Sequence, residues 1–274
     1  MNILVTLDAG YLPQLRVMLC SLLINNPNQH FDIYIAHSSL LSHHFSQLET
    51  EMASRISSFH DRCRFLPIQV DSSILNDAPI TTRYPQEMYY RIFAAQYLPG
   101  HLDQILYLDP DIVIIGSLRE LYEKKLGSNL FAAATHVRKN LQKLNQHRLD
   151  MLPNAPYINS GVMLMNLKLL RQVQSLQEVM KYIKTHKTSL FLPDQDIISA
   201  LYGDKIFLLD TVKYNLSERY FNFYRLRPEN ISKKLTIDWV RKNAVIIHFC
   251  GRNKPWKPSY LGSFDQFYHE YANM

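Results

Sequence analysis

Asp109 and Asp111 stand two residues apart across Pro110, between the apolar runs Ile105–Leu108 and Ile112–Ile115. Runs this short and this rich in β-branched residues read as strands buried on both faces. Pro110 has no backbone donor, so the break fits a strand end rather than the middle of a ladder. Extended backbone there would set both carboxylates on one side. Two hard oxygen ligands at the rim of a buried sheet suit Mn²⁺ or Mg²⁺, with coordination left for phosphate oxygens or water. Asp and Pro also favour plain turns. The flanking buried runs tip the reading toward a metal site.

Near the other end of the chain, Ala244–Phe249 reads as a buried strand carrying His248, with Gly251 and Lys254 just beyond it. Gly admits close approach of backbone to a ligand, and Lys is a compact charge suited to phosphate. An imidazole beside that grip would complete a cation site begun by Asp109 and Asp111. Asp194-Gln195-Asp196 opens a predicted helix. Asp194 reads as its N-cap and Asp196 as a charge near its positive end, roles that need no chemistry. Arg91 lies on the helix-like segment Tyr84–Leu98, from which a guanidinium can snorkel or reach a carboxylate or phosphate.

These groups need a scaffold. Ile3–Leu7, Phe31–Ala36 and Phe65–Val70 read as strands. Between them Pro13 opens a helix with the stripe Leu15, Met18, Leu19, Leu22 and Leu23, and Leu41–Phe59 places Phe45, Leu48, Met52 and Ile56 on one face. Strand, helix, strand, helix, strand is the signature of a parallel sheet with helices on its faces. Ligands of such sheets sit outside the carboxyl ends of the strands, where Asp8 and Asp109 both fall. Further on, Leu130–Thr135, Tyr157–Leu167 with its Asn159-Ser160-Gly161 turn, and Ile206–Leu209 read as strands, and Leu169–Ile183 as a helix. Arg138–Leu152 is polar and aperiodic, a surface helix or a loop able to act as a lid. Tyr214–Leu226 has no clean period and reads as a loop packed by its own aromatics, and Phe264–Tyr271 as a closing helix.

With 274 residues, 47% hydrophobic and 20% charged, the chain can bury a substantial core and does not have the composition of a disordered protein. Its net charge of +6 is concentrated late: between Lys213 and Lys257 the cations face only Glu218, Glu229 and Asp238. Such a stretch can draw anionic substrates, nucleic acid or an acidic membrane surface. Cys20, Cys63 and Cys250 are scattered and form neither a disulfide scaffold nor a zinc site. MNILVTLDAG lacks the basic start of a signal peptide, and no apolar run reaches the length of a bilayer span. The expectation is a cytoplasmic protein in peripheral contact with the inner face of the cell membrane. No Gly-x-Gly-x-x-Gly, P-loop or nucleic-acid module is present, so a dinucleotide enzyme and nucleic-acid partners are disfavoured.

The first strand ending at Asp8, LYLDPD, Asn159-Ser160-Gly161-Val162, Asp194-Gln195-Asp196 and HFCGRNKPW follow in an order that resembles family 8 glycosyltransferases from Ile3 to about Trp256. These are retaining enzymes of the GT-A fold. The resemblance implies an α/β, Rossmann-like mixed sheet with flanking helices, a transferase domain over residues 1–257 and a helical extension over 258–274. It implies Mn²⁺ or Mg²⁺ on Asp109, Asp111 and His248, bridging the diphosphate of a UDP-sugar. Thr6, Asp8 and Tyr11 would lie around the uridine, and Gly251 and Lys254 on the diphosphate. Arg91, Asn159, Asp194 and Gln195 would surround the donor sugar, with Gln195 near the anomeric carbon. The implied reaction moves a hexose from UDP-glucose or UDP-galactose to a carbohydrate, lipid-linked or protein acceptor. The chain departs from the family pattern at Gly10, where many relatives carry Asn, and at His136, where one branch is acidic. The residues by themselves also admit a metal-dependent nucleotidyltransferase or phosphohydrolase, or a non-catalytic nucleotide-sugar-binding protein.

Overall fold

The computed structural model describes all residues except 76, 77, 81–84 and 138. The strands are β1 (Asn2–Thr6), β2 (Phe31–His37), β3 (Cys63–Gln69), β4 (Gln104–Leu108), β5 (Ile112–Ile114), β6 (Phe131–Ala133), β7 (Val162–Asn166), β8 (Ile206–Leu208) and β9 (Ile246–His248). Seven form one sheet in the order β3-β2-β1-β4-β7-β6-β8, while β5 and β9 pair separately. The first half is parallel, as the alternation of strands and helices requires. The second half differs: β7 runs antiparallel to both β4 and β6, so the sheet is mixed.

Strand periodicity divides the core into two layers. Val5, Ile33, Leu106 and Leu164 face one side, and Leu4, Tyr34, Ile105, Tyr107 and Met163 the other. Helices cover both, which is why these strands are apolar almost without interruption. The helix Leu12–Asn25 starts with Pro13 in its first turn and buries Leu15, Met18, Leu19 and Leu22. The closing helix Asp265–Ala272 adds Phe267, Tyr268 and Tyr271 to the same layer. Among the described residues no helix is long and apolar enough to cross a membrane.

Several elements differ from expectation for identifiable reasons. Of the expected helix Tyr84–Leu98, Tyr84 lies outside the described residues, and the remainder is broken into Glu87–Tyr90, a 3₁₀ turn at Arg91–Phe93, and Ala94–Tyr97. The pitch tightens where Arg91 turns inward toward two carboxylates. Leu169–Ile183 is two helices, Leu167–Val173 and Leu176–Thr185, because Ser175 Oγ accepts from Glu178 N and starts a second one. In the Arg138–Leu152 stretch, Arg138 lies outside the described residues and Lys139–Arg148 is a helix. Tyr214–Leu226 is not a loop. Asp210 and Ser217 cap the helices Thr211–Tyr214 and Glu218–Arg225, and Phe221 and Tyr224 stack on Trp239.

Candidate active site

At the end of β4 the chain does not stay extended: Pro110 and Asp111 form a turn. β5 then leaves the main sheet to pair with β9, with Ile112 opposite His248. Phe249 N donates to Asp111 O at 3.0 Å, so main-chain bonds fix the two segments together. His248 Nε2 lies 3.3 Å from Asp111 Oδ1 and 3.6 Å from Asp109 Oδ2. One ligand atom from each of the three residues lies within 4.8 Å of the others. The carboxylates converge as expected, through a turn rather than through the alternation of a strand.

This donor set fits a divalent cation. His248 Nε2 and Asp111 Oδ1 are buried and have no hydrogen-bond partner. A Cβ on Gly161 would come within 2.3 Å of His248 Cε1 and 2.6 Å of Asp109 Oδ2, so only glycine leaves the cradle open. Two carboxylates and an imidazole are donors of the kind that hold a divalent cation.

Lys254 contacts Asp111 Oδ2 and donates to Phe249 O at 2.8 Å. Burial raises the Asp111 pKa, but Lys254 and His248 outweigh it and pull the carboxyl below the ordinary range. Burial likewise opposes charge on Lys254, and Asp111 more than offsets it. At His248 burial is again the largest influence. Cys250, Asp111 and Asp109 together overcome it and raise the imidazole above its usual value.

Arg91 reaches in from the opposite side. Its Nη1 lies 2.9 Å from both Asp109 Oδ1 and Asp194 Oδ2, and its guanidinium stacks 4.4 Å over the Tyr107 ring. Tyr107 donates to Asp109 Oδ1 at 2.6 Å, and Ser160 to Asp194 Oδ2 at 2.6 Å. Asp194 is therefore not the N-cap of Pro193–Tyr202; the cap position is Leu192, and Asp194 sits in the first turn. Burial holds the Asp194 pKa up against the opposing pull of Arg91 and Ser160. Asp196 does serve its helix start, accepting from Phe191 N and Leu192 N while paired with Arg148 at 2.9 Å.

Gln195 is held by both ends of its amide. Its Nε2 donates to Tyr157 at 2.8 Å, and its Oε1 accepts from Asn159 at 3.3 Å. Of the residues expected to hold the cation, nucleotide and sugar, all but Thr6 and Asp8 line one cleft of about 1190 Å³. Thr6 is buried, with its Oγ1 3.1 Å from the Tyr107 hydroxyl that donates to Asp109. Asp8 lies two residues past the end of β1, where its Oδ1 accepts from Gly10 N at 2.7 Å and caps the following turn. Tyr107 and Tyr157 went unnoticed in the sequence. Tyr107 carried a signal, since it shares the strand-side periodicity of Asp109 two residues on.

Residues 2–259 match the family model described as glycosyl transferase family 8. A lipopolysaccharide 1,2-glucosyltransferase of Escherichia coli (strain K12) is 26% identical over 263 residues, covering 93% of this chain and 72% of the relative. General stress protein A of Bacillus subtilis (strain 168) is 23% identical, covering 98% of this chain and 92% of the relative. Among solved structures, the galactosyltransferase LgtC in complex with donor and acceptor sugar analogs has a TM-score of 0.81 at 20% identity, covering 100% of this chain and 95% of that one. The glycosyltransferase GlyE of Streptococcus pneumoniae TIGR4 has a TM-score of 0.71 at 21% identity, covering 100% of this chain and 60% of that one. The α/β mixed sheet is thus the GT-A fold, and the chain belongs to glycosyltransferase family 8.

Proposed function

We propose that this protein is a retaining hexosyltransferase that moves glucose or galactose from UDP-glucose or UDP-galactose to a carbohydrate, lipid-linked or protein acceptor. The observation that carries this reading is the meeting of Asp109 with the partnerless Asp111 Oδ1 and His248 Nε2 in front of Gly161. Relatives whose names specify lipopolysaccharide glucosyl- and galactosyltransferases support the choice of hexose. Asp109, Asp111 and His248 would hold Mn²⁺ or Mg²⁺, which when bound neutralises charge on a departing diphosphate. Lys254 adds a second positive charge at the same place, where a dry cleft strengthens it. Gly251, at φ 113° with open space where a side chain would be, lets backbone approach a phosphate. Tyr11 lines the uridine end of the cleft, Asp8 holds the Gly10 turn next to it, and Thr6 contributes only through Tyr107. Arg91, Asn159 and Asp194 orient the hexose. Gln195 is uncharged and tied at both ends of its amide, so in this reading it positions the anomeric carbon rather than attacking it.

Residues 1–257 act as the transferase unit and 258–274 as its helical extension. The basic C-terminal third supplies a peripheral contact with anionic lipid on the inner face of the membrane. Exposed Phe223, Leu226 and Ile231 lie among exposed Arg225, Arg227, Lys233 and Lys234, an arrangement suited to that surface. Co-sedimentation with vesicles should favour anionic over neutral lipid at moderate salt, and equal binding to both would remove the contact.

The deciding assay is UDP release from UDP-glucose and UDP-galactose with Mn²⁺, before and after chelation. Asp109→Asn and Asp111→Asn should each lose most of the rate. Wild-type turnover by both variants, with no effect of chelator, would sink the assignment. Turnover of a nucleoside triphosphate with UDP-sugars ignored would replace it by a nucleotidyltransferase or phosphohydrolase. UDP-sugar binding without any turnover would make the protein a binding module.

A further inference from the structure

Asn215 is fully buried and is none of the residues given a role from the sequence, although it falls within the Tyr214–Leu226 stretch. Main-chain bonds clamp it on both sides. Its N–H donates to Thr211 O at 3.1 Å, closing the helix Thr211–Tyr214. The next residue, Leu216, bridges to β9, donating to Ile246 O at 3.0 Å and accepting from His248 N at 2.9 Å. The side chain of Asn215 is thereby held in fixed relation to that of His248.

Its orientation follows from a chain of donors and acceptors. Gly161 N–H donates at 3.2 Å to the Asn159 side chain, so the atom it meets must be Oδ1. The Asn215 atom 3.0 Å from that oxygen must then be the donor Nδ2. The other end of the Asn215 amide is therefore Oδ1, which lies 2.8 Å from His248 Nδ1 and can only accept. His248 Nδ1 therefore carries a proton, and Nε2 is the ring nitrogen left facing Asp109 and Asp111 to act as a ligand. A backbone N–H at one end of the network thus settles which ring nitrogen carries a proton at the other. The partner of the second ring nitrogen is what orients a metal-ligating histidine. Asn159 goes on to donate to Gln195 Oε1 at 3.3 Å, so the amides run unbroken from His248 to Gln195.

We propose that Asn215 is a positioning residue that locks His248 in the Nδ1–H tautomer and couples the cation site to the Asn159–Gln195 pair. This rests on the reading of Asp109, Asp111 and His248 as cation ligands. The test is Mn²⁺ titration of the full chain without nucleotide, followed by the electron paramagnetic resonance of free Mn²⁺. Asn215→Ala should bind Mn²⁺ about 10–100-fold more weakly, the usual effect of removing such a partner. Asn215→Asp keeps an acceptor for His248 and should bind within a few-fold of wild type. Lacking a donor for Asn159, it should lower kcat/KM for the UDP-sugar about tenfold. Wild-type Mn²⁺ affinity in a folded Asn215→Ala variant would overturn the proposal. So would equal losses of affinity in both variants. Should Asn215→Ala fail to fold, the wild type with Zn²⁺ as a diamagnetic probe decides. Long-range ¹H–¹⁵N correlation of its histidines, with His248 assigned by its loss in His248→Gln, should report Nδ1–H, and an Nε2–H signal would overturn the lock. No Mn²⁺ binding by the wild type would overturn the cation reading itself, an outcome independent of any Asn215 variant.

Discussion

Arg91 and Asp194 pair at 2.9 Å with both side chains only 8% exposed, and the same Arg91 nitrogen lies 2.9 Å from Asp109. One guanidinium therefore binds a carboxylate at the end of β4 to one on the helix Pro193–Tyr202. A buried ion pair adds little over a well-packed apolar replacement, but removing one partner strands the other. Arg91→Ala removes the counter-charge of buried Asp194, leaving it the Ser160 hydrogen bond, and leaves Asp109 with Tyr107. It should cost about 3–5 kcal/mol in urea unfolding, with Arg91→Lys milder because its charge survives without the fork. A loss below about 1 kcal/mol, the range of exposed pairs, would show that water screens the cluster.

Tyr157 accepts from Gln195 at 2.8 Å and donates to Asp196 at 2.6 Å, and burial with Asp196 nearby keeps its hydroxyl protonated far above the ordinary range. Tyr157→Phe leaves Gln195 Nε2 without a buried partner, at about 1–3 kcal/mol. Asp196 retains Arg148 and two backbone donors, so the fold should hold. In steady-state UDP release kcat should fall about tenfold, equivalent to roughly 1.4 kcal/mol, with KM for the donor changing less. An unchanged kcat would remove the orientation of Gln195 from the mechanism.

Burial holds the His136 imidazole below its ordinary pKa, its hydrogen bond to Asn215 O at 2.7 Å opposes this, and nearby Arg219 adds to it. The ring also packs near Tyr220 and His248 and faces Cys250 Sγ at 3.6 Å. Below about pH 6.5 the unfolded chain takes up a proton that the folded chain refuses. The contribution is thus fully present above that pH and is lost as pH falls toward the lowered folded value. His136→Gln, which keeps a donor for Asn215 O, should flatten this part of the stability curve. Denaturant titrations between about pH 7 and pH 5 check it, and parallel curves for the two proteins would refute it.

The proposed cation ligands were legible because each stands at the end of an apolar run, and a strand end is a boundary in hydrophobicity. Asn215 and Tyr157 were not, since a single buried polar residue has no period and its partners come from distant segments. Asp194 carried a local capping signal that Arg91 and Ser160 override from elsewhere in the chain. In the Tyr214–Leu226 stretch only Phe221 of the helix Glu218–Arg225 is buried, too little for a stripe, although Tyr220, Phe221 and Tyr224 share one face. The direction of β7 left no mark either, because strands covered on both faces are apolar whichever way they run.

Gly161 is the narrowest point of the proposed cation site. Its φ is outside the left-handed region, so alanine would strain no backbone there, and the whole effect falls on the side chains in front of it. The new Cβ would lie 2.3 Å from His248 Cε1 and 2.6 Å from Asp109 Oδ2. Neither neighbour yields easily: His248 is tied to Asn215 at 2.8 Å, and Asp109 to Tyr107 at 2.6 Å and to Arg91. The methyl must therefore push the imidazole or carboxylate off the position both share. Mn²⁺ at a hundredfold excess over Kd should stabilise the wild type by about 2.7 kcal/mol, visible as a rise of several degrees in Tm. Gly161→Ala should lose that rise together with UDP release, while still unfolding cooperatively without Mn²⁺. A variant that kept the full Mn²⁺-dependent rise would place the cation somewhere other than between Asp109, Asp111 and His248.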